Sequence, residues 1–457
     1  MKKVLCIYPP FCSPVSPSYS VTYLAQFLQA NALDFCISIL DLNAITHYEQ
    51  FKAEYAKVKS ALEMLDLKEY AKEAHELKIK IEEFSKSENR KIRIAQKSPV
   101  LQFCLDKIAS SAPDIVLMSV VYNSQDFFSL QLARELKKLG IQVIVGGPAV
   151  TAQLKEAATY LPNEFALLEH LIGHKAGHSA LVARRILDYS VYDFSIYLTS
   201  QKVICLKTTS CCYYQRCTFC THHNFGKYVE YDLEDIKKSI ILSESKLVFF
   251  TDDMIHKKRL LELAKITKEL QIDWMCQLRP MKELDEETFK ILHDSGLKVV
   301  LLGVESGNNR ILSLMDKGTN TAHVELVLQA SKKAGITTVT YIIFGFPTET
   351  KEEFIDTIRL LKRNIDSIDL ISTSVFGLQE GSIVSRDPKK FSIAHVEREN
   401  RAMLPDKITY GINIGLHKDD ARQMKQRYAK TLNSINKFPR EMNVYREHML
   451  YFVSKNK

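Results

Sequence analysis

What this chain lacks narrows it first. No segment approaches the roughly 18 to 20 apolar residues that a membrane span needs. The opening MKKVLCIYPPFCSPVSP carries two lysines and a short apolar run, but two prolines interrupt it. It reads as a buried strand ending in a loop and not as the core of a signal peptide. The cysteines, at positions 6, 12, 36, 104, 205, 211, 212, 217, 220 and 276, lack the regular spacing of a disulfide scaffold. A cytoplasmic protein is the expectation, and there clustered cysteines serve more often as metal ligands or catalytic thiols than as bridges. Short-period repeats, low-complexity tracts and a single basic block are also missing. The net charge of +8 is spread along helical segments, which fits solvated helix faces and does not indicate nucleic acid.

What is present is enzyme-like. A length of 457 residues suggests two or three domains, each able to build its own core. The 46% hydrophobic and 25% charged content is that of a soluble globular chain. In the first third, KKVLCIYP (2–9), DFCISILDL (34–42), DIVLMSVV (114–121) and IQVIVGGP (141–148) read as strands with helices between them. Such alternation predicts a doubly wound parallel sheet that binds ligands beyond the carboxyl ends of its strands. The loops of interest are then 9–17, 42–47, 121–124 and 146–151. Residues 47–95, rich in Glu, Lys, Ala and Leu, are expected to insert as a helical hairpin. A second alternating series, from KLVFFTDDM (246–254) to IDLISTSVFGL (368–378), predicts a parallel α/β barrel or partial barrel with function at its strand ends. The expected layout is a first domain over 1–180, a linker over 181–200, the barrel over 201–385 and a helical, charged region over 386–457.

The richest stretch is TTSCCYYQRCTFCTHHNFGKY (208–228), between the two series. Cys212, Cys217 and Cys220 form C-x4-C-x2-C, with Cys211 and Cys205 nearby. Three soft thiolates on one loop suit zinc or an iron–sulfur cluster. A structural zinc wants four protein ligands, and His222, His223 or Cys211 could provide the fourth. On spacing alone zinc, a cluster and unligated packing cysteines all stay open. The loop follows a short strand, KVICLKT, at the entrance to the barrel, where a barrel places its reactive centre.

At this point the sequence resembles the radical S-adenosylmethionine enzymes. Most members carry C-x3-C-x2-C with an aromatic residue before the last cysteine, here Phe219, and this chain has one residue more in the first gap. The branch with an N-terminal cobalamin-binding-like domain has a similar longer loop. PPFCSPVSPSYSVTYLAQFL, VIVGGPAVTA, VFFTDD, GVESGNNRILSLMDKG and IIFGFPTET extend the resemblance over roughly residues 1–380. It implies a Rossmann-like cobalamin-binding type of first domain, then a partial barrel of radical SAM type, then a helical tail. It also implies a [4Fe-4S] cluster on Cys212, Cys217 and Cys220 with one iron open to S-adenosylmethionine, and Cys211 as the reserve ligand. Phe219 would pack near the adenine or serve as ordinary packing.

Further candidates follow. Asp252 and Asp253 end an apolar strand, where one of two neighbouring side chains reaches inward; they would grip the cofactor's amino acid moiety or cap the next helix. Glu305 emerges with Ser306 from LKVVLL and needs a hydrogen-bonding partner, either the cofactor or an internal salt bridge. Gln277 and Arg279 are weaker candidates for the same cavity. Gly345 and Pro347 suit a turn and offer no catalytic side chain. Cobalamin is expected, with Gly146 and Gly147 against its tail, although the Asp-x-His-x-x-Gly loop of many cobalamin domains is missing: Asp41 and His47 have the wrong spacing. Cys205 and Cys276 read as buried packing.

The implied reaction is reductive cleavage of S-adenosylmethionine, supplied by a donor such as flavodoxin or ferredoxin, to a 5′-deoxyadenosyl radical that attacks an unactivated carbon of a small-molecule or peptide substrate. With cobalamin the outcome is methyl transfer; without it, cyclisation, epimerisation, carbon–sulfur bond formation or oxidation. An alternative of another class is a non-catalytic zinc- or cluster-binding regulatory or RNA-binding protein, in which Tyr213, Tyr214, Tyr228 and Tyr231 form a stacking surface beside His222, His223 and Lys227.

Overall fold

The computed structural model describes residues 1–175, 185–224, 226–401 and 404–456. The chain divides into two compact units, Met1–Cys205 with Glu234–Glu244 and Asn400–Asp406, and Leu206–Leu233 with Ser245–Glu399 and Lys407–Lys457.

In the first unit, β1 (Lys2–Tyr8), β2 (Phe35–Asp41), β3 (Ile115–Ser119), β4 (Gln142–Gly146) and β5 (Thr159–Tyr160) form a sheet in the order β2-β1-β3-β4-β5, all pairs parallel. β3 at its centre is buried at every position, as a strand covered on both faces must be, and its continuous apolar run reflects this. Two hydrophobic clusters lie on the sheet. One gathers Leu5, Ile7, Val116, Phe128 and Leu132; the other gathers Val4, Cys6, Val21, Leu28 and Leu117. Alternate residues of β1 therefore serve opposite faces.

Two helices, Leu42–Glu63 and Leu67–Arg93, follow β2 where the charged helical hairpin was expected. The first starts earlier than the sequence suggested: residues 42–47, expected as a loop, are its first turns. The reason is Asp41, whose carboxylate accepts from Ala44 N at 2.9 Å and caps the helix. The linker expected over 181–200 is likewise not free where it is described. Asp188 N donates to Gln26 Oε1 at 2.8 Å, Tyr197 Oη donates to Asp41 Oδ2 at 2.8 Å, and Leu198 N donates to Pro14 O at 3.1 Å. These bonds tie the segment into the first unit, and the division between units falls instead at Cys205.

The second sheet holds β6 (Val203–Leu206), β7 (Leu247–Phe250), β8 (Asp273–Leu278), β9 (Leu297–Glu305), β10 (Thr337–Phe344) and β11 (Leu370–Val375), in the order β11-β10-β9-β8-β7-β6. From β7 to β11 each neighbour is parallel, the topology of an open partial barrel. Trp274 on β8 is fully buried and donates its indole N–H to Ser295 O at 3.1 Å, so its burial leaves no polar atom unmet.

The tail departs from the helical expectation at its start. β12 (Ile393–Arg401) and β13 (Leu404–Ile412) pair as a two-stranded sheet, and helices follow only from Lys418. Ile393 and Ile412 are buried in the cluster around Phe346, Phe376 and Phe391, which anchors both strands by contacts remote in sequence. The helical part then lines the edge strand β11. Ile371 N donates to Asn436 Oδ1 at 2.9 Å, Asn443 Nδ2 donates to Ile371 O at 3.2 Å, and Lys425 Nζ donates to Thr373 O at 2.8 Å. Among the described residues no helix is long and apolar enough to cross a membrane.

Candidate active site: a cysteine loop at the strand ends of the second sheet

The cysteine loop leaves Leu206 and is stapled at once. Thr208 N donates to both oxygens of Asp252, at 2.9 and 3.0 Å, and Thr209 Oγ1 donates to Oδ1 at 2.7 Å. Asp252 is buried, which pushes its carboxyl up to about 6 despite these donors. The structure thus sets Asp252 to hold the loop's entrance. Asp253 lies 2.8 Å from His222 Nδ1, and this carboxylate, with the nearby Cys220, raises the imidazole to about 10. His222, a candidate fourth ligand for zinc, is therefore spoken for; the side chain of His223 lies outside the described residues. Gln277 Nε2 donates to Asp253 O at 3.1 Å, so it supports the same corner.

Cys211 is buried, and its sulfur accepts from Gln215 Nε2 at 2.9 Å. The other three thiols are electrostatic neighbours. Burial pushes Cys217 up to about 11, Lys317 pulls it down, and Cys220, Glu305 and Cys212 push it up again. They lie close without converging on one ion: among the described residues no three Cys, His, Asp or Glu side chains are gathered around a single metal position. Soft thiolates that need a cation, carried on one loop, are the donor set an iron–sulfur cluster takes.

The second half of the loop is fixed by the segment after β9. Thr218 N donates to Met315 O and Thr218 Oγ1 to Leu314 O, both at 2.9 Å, while Val384 N donates to Thr218 O at 3.0 Å. Phe219, half-buried, packs against the cluster of Ile311, Met315 and Phe346.

Glu305 and its partner complete the site. Lys317 Nζ lies 2.7 Å from Glu305 Oε1, and both side chains are buried, at 2% and 9% exposure. Gly303 lies beside them: a Cβ there would stand 2.8 Å from Lys317 Nζ and 2.9 Å from Glu305 Oε1, so glycine makes the space for the pair. Lys317 also sits 5.7 Å from the ring centre of Phe219. The sequence named Glu305 but missed Lys317, although MDKG was visible. Ser306 does not reach the site; its fully buried hydroxyl accepts from Asn308 N at 3.2 Å and lies 3.4 Å from Thr357 Oγ1.

Arg279 is buried and serves the loop. Its guanidinium donates to Lys317 O at 3.1 Å and Tyr213 Oη at 3.3 Å, and stacks 3.5 Å from the ring centre of Tyr214. Tyr228 Oη donates to Glu230 Oε1 at 3.0 Å. The half-buried tyrosines expected as a stacking surface are thus occupied with protein groups, which is at odds with an exposed nucleic-acid platform. Another residue the sequence passed over is Glu349, fully buried in the GFPTET turn, whose Oε2 accepts from Gly345 N at 2.5 Å. Burial pushes its carboxyl up to about 8.

At the strand ends of the first sheet, Gly147 has φ of +114°, and a Cβ there would fall 2.2 Å from Val120 O. A Cβ at Gly146 would stand 3.2 Å from Leu161 O. At Gly147 glycine is required by the close approach of the chain to itself. His47 is fully buried, donates from Nδ1 to Asn43 O at 2.8 Å, and has no hydrogen-bond partner at Nε2.

A barrel of parallel strands with these thiols at its mouth defines a class, and the comparisons agree with it. Residues 206–361 match the family model described as Radical SAM superfamily, and this domain of the chain belongs to that superfamily. An uncharacterized methyltransferase of Pyrococcus horikoshii is 31% identical over 159 residues, 32% of this chain and 34% of its own. The ribosomal protein uS12 methylthiotransferase RimO of Thermosipho africanus is 26% identical over 250 residues, 50% of this chain and 58% of its own. The matches therefore span less than two thirds of these curated relatives. Two solved structures share the fold. The cobalamin-dependent S-adenosylmethionine radical enzyme OxsB aligns with a TM-score of 0.65 at 13% identity, covering 100% of this chain and 72% of its own. The radical S-adenosylmethionine methyltransferase TsrM from Kitasatospora setae, solved with cobalamin and a [4Fe-4S] cluster, gives 0.62 at 14%, covering 95% and 89%.

Proposed function

We propose that this protein holds a [4Fe-4S] cluster on Cys212, Cys217 and Cys220 and uses it to cleave S-adenosylmethionine reductively, in order to modify an unactivated carbon of a small-molecule or peptide substrate. The observation that carries this reading is the buried Lys317–Glu305 pair beside Cys217, in a domain of the radical SAM superfamily. When bound, cluster and S-adenosylmethionine supply the 5′-deoxyadenosyl radical, chemistry that belongs to the cofactors.

The chain's own part is binding, orientation and exclusion of water. A lysine and a glutamate side by side match in sign the carboxylate and ammonium of an amino acid. Both are already desolvated, so exchanging each other for a zwitterion avoids the cost of stripping water from them afresh. Fully buried β7 and the apolar β9 behind the pair keep water from the site. A flavodoxin- or ferredoxin-like donor fits the need for an electron.

Methyl transfer is the second reading. It is favoured by the likeness of the whole fold to OxsB and TsrM, described as cobalamin enzymes. The test is made on protein purified without oxygen: iron, sulfide and cobalt content, then 5′-deoxyadenosine formation with S-adenosylmethionine and a strong reductant. Four irons per chain with deoxyadenosine formed, and both lost in Cys217→Ala, is the expected result. Cobalt retained at one per chain would support methyl transfer. Zinc in place of iron, or a cluster that never cleaves the cofactor, would overturn the proposal.

A further inference from the structure

The first gap of the cysteine motif contains Tyr213, Tyr214, Gln215 and Arg216, one residue more than a C-x3-C-x2-C spacing would hold, and each of the four is tied down. Gln215 adopts φ of +50°, the left-handed turn that takes up the extra residue. Its Nε2 donates to Cys211 Sγ and to Gly226 O, both at 2.9 Å. Arg216 Nε donates to Asp316 Oδ2 at 3.2 Å, and Tyr214 Oη donates to Asp316 Oδ1 at 3.1 Å.

The centre of this arrangement is Arg279. Its guanidinium lies against Tyr214 at 3.5 Å and Tyr213 at 5.6 Å, and donates to Lys317 O. One buried side chain thereby joins the residues after Cys212 to the segment that carries Lys317. Gly318 makes the fit possible. It has φ of +67°, and a Cβ there would stand 2.4 Å from Tyr214 Oη and 2.7 Å from Arg279 Nη1.

We infer that Arg279 is a positioning residue: with Gly318 and Tyr214 it clamps the four-residue spacer, so that the longer loop presents Cys212 in register with Cys217 and Cys220 before iron arrives. This rests on the cluster reading above. It also differs from the cavity-lining role the sequence suggested for Arg279, since the side chain acts through the loop and not on the cofactor.

The test uses the full chain reconstituted without oxygen, with two readouts besides activity: iron lost to a chelator over time, and the electron paramagnetic resonance spectrum of the reduced cluster. Outer partners of a metal site are worth about 10-fold or more in metal retention. Arg279→Leu and Tyr214→Leu should each lose iron about 10-fold faster than the wild type and give an altered spectrum. Gly318→Ala, pressing on the stack from the other side, should do the same. Tyr214→Phe keeps the ring over the guanidinium and should retain the wild-type spectrum, whereas Arg279→Lys should not restore it, because an ammonium lacks the planar stacking face. Should Arg279→Leu fail to fold, the half-buried Tyr214→Leu decides. A wild type that loads iron beside variants indistinguishable from it overturns the clamp alone. A wild type that takes up no iron overturns the proposed function, and the clamp with it.

Discussion

The two units treat a buried base beyond a strand end differently. In the first, burial lowers His47 to about 4, so the imidazole is neutral at pH 7, and raises Asp41 to about 6. In the second, Lys317 is buried with Glu305 as a partner of opposite sign, while burial raises the carboxyls of Asp252 and Glu349 as it does that of Asp41. A neutral buried base offers a ligand no charge. A buried ion pair is often no more stable than an apolar pair of similar shape; its use lies in what else the charges can hold. On the proposed function, it is this pair that would hold the charged ligand.

The largest expected break of that contrast is Lys317→Ala. It leaves Glu305 buried without its cation and should cost about 3–5 kcal/mol in urea unfolding at neutral pH. The double change Lys317→Met with Glu305→Leu should recover most of it while abolishing cofactor cleavage. Recovery of activity together with stability would refute a ligand-holding role.

Next is Gly147→Ala in the first unit. Its Cβ would collide with Val120 O in a backbone conformation foreign to alanine, at an expected cost of about 1–3 kcal/mol. Iron content should not change, because the affected turn belongs to the first sheet. A thermal melt paired with an iron assay checks both.

The smallest effect concerns pH. Asp41 keeps its proton in the folded state up to about 6, while the unfolded chain loses it near 4, so its contribution falls as pH rises from about 4 to 6. His47 stays neutral in the folded state down to about 4, while the unfolded chain protonates near 6.5, so its contribution rises over almost the same range. The two slopes oppose each other. Relative to the wild type, Asp41→Asn should gain stability as pH rises from about 4 to 6, and His47→Gln should lose it, each by about 1 kcal/mol per pH unit. Parallel urea midpoints at three pH values would show it; coincident curves would mean that neither group is held neutral.

Most strands of both sheets were legible because parallel strands covered on two faces must be continuously apolar, as β3 and β7 are; the two-residue edge strand β5 was not. The helical hairpin was legible from composition alone. The strands β12 and β13 were not: a run such as His395, Val396, Glu397 and Arg398 is too polar to declare a strand, and the two strands are anchored on the distant Phe346 and Phe376. In the site, the cysteine loop and Glu305 stood out because their chemistry demands a partner. Lys317 did not, because a lysine in a turn reads as solvated until the turn is seen to fold under Phe219. Asp252 shows the reverse case: a carboxylate at a strand end suits a cofactor or a helix cap equally, and the Thr208 and Thr209 contacts reveal a further use, stapling the loop.

The contacts of Asn436, Asn443 and Lys425 with β11 bear on how the protein is made. An open barrel leaves its last strand with unpaired amide and carbonyl groups, a template for any other extended chain. The residues that cover it here are translated some 50 to 70 positions after the strand they protect, a spacing set by Lys425 Nζ to Thr373 O and by Asn443 Nδ2 to Ile371 O. During synthesis the second sheet therefore passes through an interval in which its edge is bare, and a nascent chain stalled in that interval is the form most exposed to aggregation.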